Sequence, residues 1–124
     1  MIDTDIIIWL LRGNEEIKEK FKKIVGENKG IIFITPIQIT EIYAGLREKE
    51  KIETEIFLDS FNCLAIDKKI GEIAGSFINL YAKAHNLTIA DALIGAMTKI
   101  NSLKLWTLNK KHYPMIKPDE FLEI

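Results

Sequence analysis

Cysteine is almost absent from this sequence of 124 residues: Cys63 stands alone. That excludes an intramolecular disulfide and any cysteine-built zinc site. Its setting, Phe61-Asn62-Cys63-Leu64-Ala65-Ile66, reads as a buried strand in which the thiol has a packing role. Arginine is nearly as scarce, with Arg12 and Arg47 the only guanidinium groups among 17 basic residues. The formal net charge is −1, so no global basic field advertises nucleic-acid binding, although a local groove remains compatible with it. Three prolines and seven glycines build no linker, and neither repeats nor low-complexity segments occur. A single domain spanning 1–124 is expected. No apolar run approaches the ~20 residues of a membrane span. The N-terminal apolar run carries acids and no basic region, unlike a signal peptide. A reduced, cytoplasmic protein that avoids membranes is the expectation.

What is present is a composition 48% hydrophobic and 28% charged, enough for a real core in a chain of this length. Extended segments are expected at Met1–Asp3, 31–34, 63–66, 104–107 and, at the edge, 121–124. Helices are expected between them. Asp5 reads as the N-cap of Ile6–Leu11, and Asn14 as the cap of a helix from Glu15 to about Gly26. Thr35-Pro36-Ile37-Gln38 has the form of a capping box with proline in the first turn, opening a helix to about Lys49. A further helix is expected over about 51–60. Asp67 reads as the cap of a helix reaching towards Ala84, and Thr88 opens another to about Asn101. Asn109–Tyr113 forms a last short element. Strands alternating with helices imply an α/β fold with a mostly parallel sheet covered on both faces.

In such sheets, sites form beyond the carboxyl ends of the strands. Asp3 and Asp5 follow the first strand, Glu41 the second, and Thr107 and Asn109 the fourth, while Asp91 lies on the first turn of the helix leading into the fourth. Glu41 and Asp91 are each followed four residues on by a glycine, Gly45 and Gly95. On a helix that leaves a bare patch beside the acid, where a backbone or ligand can approach. The stripes Ile39, Ile42, Tyr43 and Leu46, and Ile89, Leu93, Ala96, Met97 and Ile100, are expected to face the core, turning both acids to a cleft. Hard oxygen donors without cysteine or paired histidine suit Mg²⁺ or Mn²⁺. Each acid also has a plainer reading, as cap or surface charge, and only Asp3 lacks a local capping task. Their coincidence at one sheet edge is what favours a site.

The succession Ile2-Asp3-Thr4-Asp5-Ile6-Ile7-Ile8, Thr35 to Gly45, Thr88 to Ala96 and Leu105 to Tyr113 resembles the PIN domain, and within it the VapC-type ribonuclease toxins. The resemblance implies a three-layer α/β/α sandwich around a central, mostly parallel sheet of four to five strands. It implies a Mg²⁺- or Mn²⁺-dependent endoribonuclease that cuts single-stranded RNA. The family's acids fall on Asp3, Glu41 and Asp91, and its fourth position on Asn109. A VapB-type antitoxin and a homodimer are the implied partners. Three features depart from the family: the first strand is only Met1 and Ile2 long, the fourth site is Asn109, which carries no negative charge, and His112 stands where many relatives carry an acid.

On this reading Asp3 and Asp91 hold the metal, Glu41 orients or deprotonates the attacking water, and Asn109 bonds a water or the phosphate. Arg12, Lys110, Lys111 and His112 are candidate RNA contacts, and His112 a candidate proton donor to the leaving oxygen. Three rivals stand beside it. An inactive PIN-like module would bind RNA or a partner without cutting. A haloacid-dehalogenase-like phosphatase also begins with Asp-x-Asp, here Asp3-Thr4-Asp5, but its later motifs are missing. A receiver domain would place its acid at the end of the third strand, where only Asp67 is near.

Overall fold

Local chemistry fixes where most helices begin. The computed structural model describes residues 1–123, and for Ala82 and His85 the backbone alone. Helix α1 (Thr4–Leu11) starts directly after the first extended residues, and Asp3 rather than Asp5 is its N-cap. Helix α2 (Glu15–Glu27) is capped by Asn14, whose Oδ1 accepts from Ile17 N at 3.0 Å. Strand β1 (Phe33–Ile34) leads into α3 (Pro36–Ala44) through the complete capping box of Thr35 and Gln38. That helix ends well before Lys49. The chain leaves it at Gly45, and Glu50 folds back on Arg47 to close a 3-10 turn over Glu48–Glu50. Helix α4 (Lys51–Asp59), strand β2 (Asn62–Cys63), α5 (Lys68–His85) and α6 (Ile89–Ile100) follow. Asp67 caps α5 through Ile70 N at 3.0 Å, and Thr88 caps α6 through Asp91 N at 3.2 Å. Asn109–Tyr113 contains one 3-10 turn, Lys110–His112.

The extended segments pair in parallel, but only briefly. β1 and β2 form a two-stranded sheet, Phe33 opposite Asn62 and Ile34 opposite Cys63. Beyond it are single parallel bridges, Ile2 to Trp106 and Leu105 to Phe121. Ile2 N also donates to Phe33 O at 3.1 Å. The parallel α/β character is therefore present, while the four- to five-stranded sheet is not formed as continuous strands. The last segment contributes Phe121 and a bond from Leu122 N to Leu105 O; Ile124 lies outside the described residues.

Successive residues of a strand point to opposite faces, and the core is divided accordingly. Met1 and Leu105 belong to a cluster with Ile70, Ala74, Ile94, Met97 and Tyr113 from the α5–α6 side. Their neighbours Ile2 and Trp106 belong to a second cluster with Ile6, Ile17, Ile34, Ile42 and Leu58 from the side of α1–α4. Two residues of strand suffice to join two apolar cores.

Three expectations need correction. Cys63 is exposed: β2 is a two-residue strand that pairs with β1 alone, and both its residues are exposed. Ile89 and Ile100 are exposed at 70% and 48%; the buried surface of α6 is Ala92 and the run Ile94–Thr98, so its contact face is broader and turned from the expected stripe. Gly95 does permit a close approach, but the occupant is internal: an added Cβ would meet Met115 Sδ at 2.5 Å. No helix among the described residues is long and apolar enough to cross a membrane.

Candidate active site

The acids meet where the first and last core segments lie side by side. Asp3 N donates to Trp106 O at 3.0 Å, which sets the register of the two segments. The chain then turns at once into α1. Asp3 Oδ1 accepts from Thr4 N at 2.8 Å and Oδ2 accepts from the Thr107 hydroxyl at 2.7 Å. Asp3 is thus the cap and is buried, and Asp5, displaced from that task, reaches across to the 107–109 loop. Asp5 Oδ2 accepts from Leu108 N and Asn109 Nδ2, both at 2.9 Å, with a longer contact from Thr107 Oγ1 at 3.4 Å. Thr107 Oγ1 in turn accepts from Asn109 N at 3.0 Å. Asn109 is therefore at the site, with its amide donating to Asp5.

Glu41 is exposed on α3 and joins this network through Thr4, whose hydroxyl donates to Glu41 Oε1 at 2.6 Å. Asp91, on the first turn of α6, accepts at Oδ1 from the Tyr113 hydroxyl at 3.2 Å. His112 Nδ1 lies 3.8 Å from its Oδ2. Tyr113 is buried, and burial together with the charges of Asp3 and Asp91 holds its phenol far above the ordinary range. It is a permanent donor. The sequence reading missed Thr4, Tyr113 and the direct part of Asp5. The signal available for Asp5 was the Asp3-Thr4-Asp5 triplet itself; for Tyr113 there was none, since a lone aromatic in a tail reads as packing.

Electrostatics show what these oxygens lack. Burial first, then the charge of Asp3, pushes the Asp5 carboxyl up, and the same two causes in the same order push Asp91 up. Asp5 Oδ1 is buried with no hydrogen-bond partner. Desolvated anions that raise one another's pKa are relieved by a cation. The donors are all hard oxygens, and Mg²⁺ needs few of them because it keeps several waters. Among the described residues no three acid or imidazole groups converge as a ready coordination shell. Hard oxygen donors of this kind suit an ion held by one or two carboxylates with water completing its shell.

The cations divide. Arg12 lies over the Trp9 ring, 5.6 Å from its centroid, and lines a groove of about 400 Å³ with Ile8, Leu46 and Glu41. Lys110 turns away from the acids to Glu123 at 2.8 Å and the Phe121 ring. Lys111 and His112 line a separate cavity beside Asp91.

Comparison with known proteins identifies the family and the fold. The sequence is 29% identical over 118 residues to Ribonuclease VapC10 of two Mycobacterium tuberculosis strains, spanning 94% of this chain and 87% of that protein. The fold resembles a toxin–antitoxin complex from Klebsiella pneumoniae, with a TM-score of 0.76 at 23% identity over 98% of this chain and 94% of that one. Asp67, the acid nearest a receiver-type position, caps α5 through Ile70 N, and the family match sets the phosphatase and receiver readings aside. The PIN domain family matches residues 1–115, and the chain belongs to that family.

Proposed function

We propose that the chain is a Mg²⁺- or Mn²⁺-dependent endoribonuclease that cuts single-stranded RNA, and that it is the toxin of a toxin–antitoxin pair. The observation that carries this reading is the buried, unpartnered Asp5 Oδ1, in a cluster where burial and then the charge of Asp3 raise the carboxyls of both Asp5 and Asp91. The likeness to Ribonuclease VapC10 supports the substrate class. Asp3 and Asp91 would hold the ion, with Asp5 supplying charge beside them. When bound, the ion supplies Lewis-acid polarisation of the phosphoryl oxygen and activation of water near neutral pH.

The chain's own groups do the rest. The Thr4 bond fixes Glu41 Oε1 and leaves Oε2 to accept the proton of the attacking water. Asn109 and Thr107 clamp Asp5 and Asp3, and Tyr113 fixes the rotamer of Asp91. The five extended segments would lie in the order 62–64, 33–34, 1–3, 105–107, 121–122, the arrangement that the bridges and single bonds support.

The antitoxin has a place to go. The groove of about 400 Å³ combines apolar Ile8, Leu11 and Leu46 with Arg12 and ends at Glu41, so a segment lodged there would cover that carboxylate. A homodimer is the further assembly in this reading; Ile52 and Ile56, one turn apart on α4 and 74% and 67% exposed, are a face that a second copy would cover.

The test is RNA cleavage with Mg²⁺ or Mn²⁺, with EDTA, and with Asp3→Asn and Asp91→Asn. Loss of at least roughly 100-fold is expected for each variant, the scale of removing one electrostatic contributor. Undiminished cleavage by the variants would remove these acids from the site. A clean wild type that binds RNA but never cuts it would be the inactive module.

A further inference from the structure

The acids lie between two concavities. One is the groove at Glu41. The other, of about 560 Å³, is bounded by Lys83, Asn86, Thr88, Asp91, Lys111 and His112, a size within the ~300–1,000 Å³ of small-ligand sites. From these residues we infer that the second cavity is a subsite for an RNA backbone phosphate flanking the one that is cut, held by Lys83 and Lys111. The inference rests on the ribonuclease reading.

The charges around this cavity are unbalanced. Cations elsewhere around the acids already have company: Arg47 has Glu50 at 2.8 Å, Lys110 has Glu123 at 2.8 Å, and Arg12 lies on Trp9. Lys83 and Lys111 make no ion pair among the described residues. They come from different elements, the last turns of α5 and the 3-10 turn after Thr107, yet both line this cavity. Among the described residues, the one carboxylate that lines the cavity with them is Asp91, which accepts from Tyr113 and is assigned to the ion. Two ammonium groups against one engaged carboxylate leave a positive surplus that an anion would satisfy. The α6 N-terminus at Thr88 adds positive potential, and Asn86 supplies neutral donors at the rim. Because the cavity shares Asp91 with the acid cluster, a strand seated there would continue across the cleavage site towards Glu41. A repeating phosphate backbone fills both places at once, which an isolated phosphate cannot.

Binding of a mixed-sequence single-stranded oligoribonucleotide, about ten nucleotides long and held in EDTA so that it is not cut, tests this as a function of salt. Each of Lys83→Ala and Lys111→Ala is expected to reduce the slope of log K against log salt by about 0.7, and the pair by about twice that. In cleavage assays the same variants should raise KM with little change in kcat. Lys69→Ala, at the far end of α5, should leave the slope unchanged. Both lysines are exposed, so melting temperatures should not move. If Lys83 merely neutralises the helix terminus, its variant will melt lower with the slope intact, and the subsite fails. Unchanged slopes in both variants, with a wild type that binds and cuts RNA, also overturn the subsite while the ribonuclease stands. If inorganic phosphate displaces the RNA at equal concentration, the cavity is a small-anion site instead. A wild type that neither binds nor cuts RNA ends both readings.

Discussion

Asp5 Oδ1 is a carboxylate oxygen sealed from water without a donor, and such an atom costs stability as long as it shares a charge. The sign of the pH effect follows from the raised carboxyls of Asp5 and Asp91. A group that holds its proton more tightly in the folded state stabilises that state while protonated. Stability from these two groups is therefore lost as pH rises from the ordinary 3.8 through their raised folded values. In EDTA, Asp5→Asn should flatten that part of the pH profile and melt higher than the parent at pH 7, as followed by circular dichroism. Tyr113→Phe removes the hydroxyl that holds Asp91, a bond to a charged group of about 1.5–3 kcal/mol, and should weaken Mg²⁺ binding in calorimetry while the far-ultraviolet spectrum is retained. Binding as tight as the parent's would show that Asp91 keeps its orientation unaided.

At the scale of elements, one side chain joins a helix start to a strand. Gln38 Oε1 accepts from Thr35 N and its hydroxyl, while Nε2 donates to Ile2 O at 2.9 Å. Gln38→Ala leaves three buried groups without their partner, and urea denaturation should show a loss of about 2–4 kcal/mol. Ile2 is 2% exposed, as the shortness of its strand requires, and Ile2→Ala should cost about 2–5 kcal/mol and loosen Mg²⁺ binding through its neighbour Asp3. Gly95→Ala drives a methyl into Met115 and should cost about 1–3 kcal/mol, less if the flexible thioether swings aside. The caps at Asn14, Thr35, Asp67 and Thr88 were legible in the sequence because each depends on residues three positions away. The cap at Asp3 was not. Which of two acids starts α1 depends on the bond from Asp3 N to Trp106 O, and no local pattern encodes a partner a hundred residues distant. The same limit applies to Gly95, where the need for a small residue was readable but Met115 as the reason was not. Cys63 was misjudged because an apolar run does not reveal which strand of a sheet has an uncovered side.

Across the whole molecule, strand order raised the expectation that Asp3, Glu41, Asp91 and Asn109 share one sheet edge; hydrogen bonds link Asp3 with Thr107, Asp5 with Asn109, Glu41 with Thr4 and Asp91 with Tyr113. Asp5 and Thr107 were expected at the same edge, whereas the parts of Thr4 and Tyr113 emerge only from packing. An ion that binds the folded chain alone stabilises all of it at once. At about 100 times its dissociation constant, Mg²⁺ should add roughly 2.7 kcal/mol, read as a rise in melting temperature that EDTA reverses. A flat response at saturating Mg²⁺ and Mn²⁺ would sink the metal reading. Asp3 meets Thr107 and Asp5 meets Asn109 across nearly the full length of the sequence. Such a site has a built-in delay during synthesis. A nascent chain paused anywhere before Leu105 carries its first acids but lacks the segment whose Thr107 and Asn109 orient them. The acid cluster is therefore assembled only once residues 105–109 have been made, long after its first members.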